Sequence, residues 1–336
     1  MVKVPKGYRS KNVNDLRGSR RGGGGFRLPR RGGGGGLGGG GLGGGGLGGG
    51  GGGGGLGGAL GGALGGGGGG GGRRGCGCGG LALIVIIVFA LLFFSCLSNG
   101  TDFMGDLNTT GPAPQAQSQA DSPEIADTFD LVNFVLDDVQ DFWIEEFDRA
   151  GQTYPVAKLN IFEQSVDTDG CGRAASAVGP FYCPADSEAY IDMAFMIQLQ
   201  NRLGAPGDFS QAYILAHEIG HHVQNVLGTN QAVRDAQQGM SRSEANQLSV
   251  RMELQADCLA GMWARSADQR GILDAGDLDE GVRAAGAVGD DAITGSSNAE
   301  NFTHGTSEQR VRWFSTGFRS GEYGSCDTFE PSYDSL

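Results

Sequence analysis

His217-Glu218-Ile219-Gly220-His221, followed 32 residues later by Glu253-Leu254-Gln255-Ala256-Asp257, decides how this chain is read. The first segment has the form HExxH and the second ExxAD. On a helix, residues four apart share a face, so the imidazoles of His217 and His221 can turn toward one ion. Glu218 lies beside that point, where a carboxylate can take a proton from water. A catalytic zinc site takes three protein ligands and keeps one position open. Glu253, on a second helix, supplies the third ligand. Asp257 shares the face of Glu253 and can hold an imidazole N–H in place. The expected chemistry is hydrolysis with one Zn²⁺ per chain, metal ligands His217, His221 and Glu253, and Glu218 as the base.

The surroundings of the motif fit a helix. Asp208 or Ser210 can cap a run that continues to Leu227, and Gly228 stops it. Ile214, Leu215, Val223 and Val226 give it apolar flanks. Three of the four histidines fall within residues 217–222. His222 lies about 100° around the helix from His221, so it reads as a core or supporting residue. Gly220 costs about 1 kcal/mol in a helix relative to Ala, so its presence implies a close neighbour.

Residues 213–228 (YILAHEIGHHVQNVLG), 251–264 (RMELQADCLAGMWA) and 301–318 (NFTHGTSEQRVRWFSTGF) resemble the putative neutral zinc metallopeptidase family of membrane-anchored bacterial proteins. The 171–193 segment and the Arg/Gly-rich N-terminus before an apolar run match it as well. The resemblance covers most of the chain. It implies a gluzincin-type metallopeptidase with the ligands and base named above. The same two motifs are similar to those of integral-membrane zinc proteases, but those have several spans where this chain offers one.

Composition divides the chain into unlike parts. Residues 1–74 carry 12 Lys and Arg against one acid, Asp15, whereas the remainder carries 13 basic and 37 acidic residues. Residues 1–80 hold most of the 66 glycines. Long Gly tracts lose too much entropy on ordering to fold alone, so a disordered, basic, cytoplasmic tail is expected. Residues 81–94 are unbroken apolar, and the uncharged stretch extends to residue 97, close to the ~20 residues that cross a bilayer. Arg73 and Arg74 precede it, and Asp102 and Asp106 follow. The positive-inside rule then puts the N-terminus in the cytoplasm and the remainder outside, as a single-pass protein of the plasma membrane. A secretory signal is set aside because a basic region of some 80 residues is far too long. Residues 98–122, rich in Ser, Thr, Pro, Gln and Asn, read as a linker.

Residues 123–330 are the expected extracytoplasmic peptidase domain, long enough for one core. A helix is predicted over 125–150 from an aromatic and aliphatic stripe, strands over 156–164, 174–182 and 188–192, then helices over 193–203, 208–227 and 241–265. Loops are expected at 266–277 and 289–305. A small sheet followed by two metal-bearing helices is an α+β, zincin-like layout. Four cysteines remain in this part. Cys171 and Cys183 flank a predicted hairpin and are paired, which leaves Cys258 with Cys326; an oxidising compartment would keep both bonds.

Hydrolysis of a peptide bond also needs a donor for the developing oxyanion. His304, the one histidine outside the motif helix, is the candidate, ahead of Arg310 and Tyr213. Arg310, Arg312 and Trp313 also have the spacing to hold a C-terminal helix in place. The partners expected are a protein or peptide substrate and the bilayer; the acidic domain argues against nucleic acid. Two other classes share the motif: a non-catalytic zinc-containing scaffold, and a zinc amidase acting on a non-protein amide.

Overall fold

A computed structural model describes residues 1–18, 123–202 and 207–336. Helix α1 (Pro123–Arg149) opens with a proline, whose missing N–H costs nothing at a first helical position, and carries Glu124 and Arg149 where the helix dipole favours them. Its stripe of Leu131, Val132, Val135, Leu136, Val139, Phe142, Trp143 and Phe147 is buried in the main core. Phe129, also in the expected stripe, is only partly buried, and the guanidinium groups of Arg9 and Arg17 lie over its ring at 4.8 and 4.6 Å.

The main sheet has four strands in the order β1-β2-β6-β5. Strand β2 (Lys158–Phe162) runs parallel to β1 (Val13–Asp15) and to β6 (Glu188–Asp192), and β5 (Phe181–Cys183) closes the far edge antiparallel to β6. A separate hairpin joins β3 (Ser165–Asp167) to β4 (Arg173–Ala175). The strand expected over 174–182 is therefore two strands. A 3₁₀ turn at Ser176–Val178, Gly179 at φ 85° and Pro180 break it, because neither residue continues a ladder.

Residues 1–18 correct the expectation of a disordered tail from residue 1 to residue 80. They form a strap that crosses α1 and ends as the edge strand β1. Val2 buries its side chain, and Ser10 and Asn12 bond to Asn133 and Asp137 of α1. This stretch has side chains to bury, which the Gly tract after it lacks. Residues 19–80 of the expected tail, the span 81–97 and the linker 98–122 lie outside the described residues. Among those that are described, no helix is long and apolar enough to cross a membrane.

The rest is helical: α2 (Met193–Arg202), α3 (Asp208–Val226), α4 (Thr229–Ala236), α5 (Arg242–Gln269), α6 (Asp277–Ala287), α7 (Asp290–Thr294) and α8 (Ser307–Ser320). The loop expected at 289–305 thus contains α7, and α5 runs past its expected end at residue 265. Helix α5 starts with a capping box between Ser241 and Glu244, and α8 with one between Thr306 and Gln309. Helix α3 begins after Gly207 with no side-chain cap; the Asp208 carboxylate instead accepts from the Val2 N–H at 2.7 Å. Gly228, at φ 80°, ends the α3 segment as the sequence implied.

Two close crossings bring the motif helices together. A Cβ at Gly220 would stand 3.1 Å from the Ala256 carbonyl oxygen, so α3 and α5 meet inside HExxH and ExxAD themselves. The neighbour that Gly220 implied is therefore a helix backbone. A Cβ at Gly317 would stand 1.8 Å from the Cys258 carbonyl oxygen, so α8 lies against α5 one residue beyond Asp257. Both disulfides pair as expected, Cys171 with Cys183 and Cys258 with Cys326.

Candidate metal centre

Helix α3 supplies His217, Glu218 and His221, and α5 supplies Glu253 and Asp257. The ring centroids of His217 and His221 are 4.7 Å apart, as one helical turn dictates. His217 Nε2 lies 3.2 Å from Glu253 Oε2, and His221 Nε2 lies 3.5 Å from Glu253 Oε1. One ligand atom from each of the three residues lies within 4.8 Å of the other two.

The protonation of each imidazole follows from its other nitrogen. His217 Nδ1 is 2.9 Å from Asp257 Oδ1, and an ionised carboxylate only accepts, so Nδ1 carries the hydrogen. His221 Nδ1 is 2.8 Å from Gln224 Oε1, while Gln224 Nε2 donates to the Met252 carbonyl and to Gln255 Oε1. That orientation of the amide makes His221 Nδ1 a donor too. In the neutral form that binds metal, both Nε2 lone pairs then face the Glu253 carboxylate, an arrangement that suits a cation. Ligands of a tetrahedral zinc at ~2.0–2.1 Å stand about 3.3–3.4 Å from one another, which matches the two separations above. The residues present fit the ion.

Asp257 is fully buried, and its carboxylate is saturated. Oδ1 accepts from Tyr213 Oη at 2.5 Å, His217 Nδ1 and Arg310 Nη2 at 2.9 Å; Oδ2 accepts from Arg310 Nε at 2.8 Å. Burial works against its charge, but Arg310 and His217 outweigh it and hold the carboxyl below its usual range. Arg310, itself 4% exposed, is committed to Asp257, Tyr213 and the Val288 carbonyl. It is a clamp on the carboxylate that orients His217. Burial likewise disfavours the charged form of His217, yet in the metal-free site Asp257 and Glu253 raise it to about 9, and a bound cation would take the place of the proton on Nε2. Glu218 is buried, and that burial raises its pKa, with the charges of His221 and His217 pulling it back.

His304 sits in the loop between α7 and α8, near enough to Glu253 for that charge to raise its pKa. Its Nδ1 is 3.0 Å from Asp290 Oδ1 and 3.2 Å from Thr303 Oγ1. Asp290 Oδ2 accepts from the backbone N–H groups of Thr303 and His304, each at 2.7 Å, so one buried carboxylate fixes both loop and ring. Sequence reasoning did not single out Asp290 or Gln224. Gln224 stands one turn beyond His221, a spacing that could have found it; Asp290 precedes His304 by 14 residues across a loop, and no periodicity links them. His222 is a supporting residue as expected: Nδ1 meets Tyr182 Oη at 2.9 Å and Nε2 the Pro155 carbonyl at 2.6 Å.

The chain is 44% identical over 261 residues to the uncharacterized protein YpfJ of Escherichia coli K12, covering 76% of this chain and 88% of that one. It is 43% identical over 194 residues to the uncharacterized protein Rv2575 of Mycobacterium tuberculosis H37Rv, covering 53% of this chain and 64% of the relative. No solved structure matches. The profile of the family described as "Putative neutral zinc metallopeptidase" spans residues 3–329, and this chain belongs to that family of zinc peptidases.

Proposed function

We propose that the chain is a zinc-dependent metalloendopeptidase that binds one zinc ion through His217, His221 and Glu253. The observation that carries this reading is the pair of Nε2 atoms, turned by Asp257 and Gln224 toward one carboxylate at 3.2 and 3.5 Å. Zinc bound there supplies Lewis acidity, which polarises a peptide carbonyl and acidifies water. Glu218, buried beside the ligands, accepts the proton of the attacking water and passes it to the leaving amine. Its raised pKa brings it closer to that of the groups between which it moves the proton. His304 is the donor to the developing oxyanion, with Asp290 holding it charged and pointed. Tyr213 and Arg310 act through Asp257 by fixing the tautomer of His217. The substrate is protein or peptide, and the domain works on the oxidising side of a membrane, where its two disulfides persist. The apolar run 81–97 is the segment proposed to meet the bilayer.

Zinc content of the purified full chain tests the ligand set. About one zinc per wild-type chain, lost in Glu253→Ala, is the expected result; full zinc in that variant refutes the three-ligand site. Glu218→Gln should retain zinc and lose cleavage of an unfolded protein by at least ~10²-fold. Retained cleavage in Glu218→Gln would remove Glu218 from the mechanism. A zinc-loaded wild type without turnover on unfolded protein would leave the scaffold or the amidase.

A further inference from the structure

The strap is built into the peptidase domain along its whole length. Lys3 N–H donates to the Ile272 carbonyl at 3.0 Å, and Val2 N–H to Asp208 at the start of the motif helix. Gly7 N–H donates to Asp130, and Tyr8 Oη to Asp137 at 3.0 Å, with its ring edge-on to Phe134. Leu159 N–H then donates to the Asn12 carbonyl, and Leu16 N–H to the Ile161 carbonyl, closing the parallel ladder of β1 on β2. The family match begins at residue 3, so the strap is part of the segment the family shares.

A chain that crosses a bilayer once leaves its two ends on opposite faces, separated by ~30 Å of hydrocarbon. Backbone hydrogen bonds between residues 12–16 and 159–161 cannot form across that distance. We propose that residues 1–18 and 123–336 lie on the same side of the membrane. Few charges near the apolar run favour opposite faces. The positive-inside rule counts residues within ~15–20 positions of a span, which admits only Arg73 and Arg74. Three of the five Lys and Arg residues of the strap are already paired: Lys3 with Asp274, Arg9 with Asp130 and Arg17 with Asp15.

The chain provides its own probes, since its four lysines are Lys3, Lys6, Lys11 and Lys158. Lys6 and Lys11 are exposed on the strap, and Lys158 is exposed on β2. Sealed right-side-out vesicles carrying the full wild-type chain are treated with a membrane-impermeant amine reagent, before and after opening with detergent, and the modified lysines are identified by mass spectrometry. The expected result is that Lys6, Lys11 and Lys158 behave alike, with no gain for the strap relative to Lys158 on opening. Modification of Lys158 in sealed vesicles, with Lys6 and Lys11 reached only after opening, overturns the proposal. Protection of all three until opening upholds the shared side but moves it to the inner face, which contradicts the location given under the proposed function and leaves the zinc chemistry untouched.

Discussion

Replacing Gly317 by Ala tests the crossing that brings α8 onto the metal helix. The added Cβ would meet three backbone atoms: the Cys258 carbonyl oxygen at 1.8 Å, the Cys258 carbonyl carbon at 2.8 Å and the Met262 nitrogen at 3.0 Å. Ordinary carbon contacts lie near 3.5–4.0 Å, so α8 must withdraw from α5 by on the order of 1.5 Å. No side-chain rotation can relieve a clash with backbone. Overpacking of this kind costs about 1–3 kcal/mol, and the backbone partners place it at the upper end. Alanine regains about 1 kcal/mol through helix propensity, which leaves a net loss of about 2 kcal/mol. For a domain of this size that lowers Tm by roughly 4–8 °C. Thermal unfolding of the detergent-solubilised full chain, with disulfides kept oxidised, measures it. Gly324→Ala is the control: nothing lies within 4 Å of its Cβ, so Tm should stay within the ~0.5 kcal/mol expected of a surface change. Because α8 also carries Arg310 onto Asp257, Gly317→Ala should weaken zinc binding by about tenfold, read by competition with a chelator. A Tm at or above that of wild type would refute the crossing and with it this account of how Arg310 is placed.

Three further outcomes follow from the site and the staples. Gln224→Ala removes the acceptor that fixes His221, and should weaken zinc binding ~10–100-fold in a chelator competition without unfolding the chain. The pH profile of kcat/KM should rise as Glu218 ionises, above its ordinary value of 4.5 because burial raises it, and fall as His304 loses its proton above 6.5. Burial opposes the charge of His304, while Asp290 and Glu253 sustain it; Asp290→Asn should therefore move the alkaline limb to lower pH and leave the acid limb in place. Removing Cys258–Cys326, with a sequence separation of 68, should cost about 4 kcal/mol, against about 3 kcal/mol for Cys171–Cys183 with its separation of 12. Denaturant midpoints of the two double Cys→Ala variants give that order, and the reverse order would exclude loop entropy as its cause.

What could be read from the amino acids alone was local. His217, Glu218 and His221 lie within one turn and a half of helix, and their alignment needs only the 3.6-residue period. Glu253 and Asp257 were legible for the same reason once a second helix was granted, as was the buried stripe of α1. The broken strand near Gly179-Pro180 carried its signal openly, but two short strands share the same alternation as one long one. Asp290 was hidden because its partner sits across a loop, and a carboxylate that holds a histidine has no periodicity of its own. The strap was hidden for a related reason. Val2, Val4 and Val13 are too sparse for any period, and the Gly tract behind them dominates composition over the first 80 residues.

The order in which this fold can be assembled follows from the position of β1. Its partner β2 begins at Lys158, whereas β1 begins at Val13, so the strand made first during synthesis waits for one made much later. Joining them in an unfolded chain means closing a loop of about 145 residues, at an entropic cost of about 4 kcal/mol before any contact is gained. Strands β2, β5 and β6 close among themselves over far shorter spans. Docking of β1 is therefore a late event in folding and an early one in opening. The Leu159 amide, whose bond is to the Asn12 carbonyl, should exchange with solvent well before the amides buried inside the β2–β6 ladder.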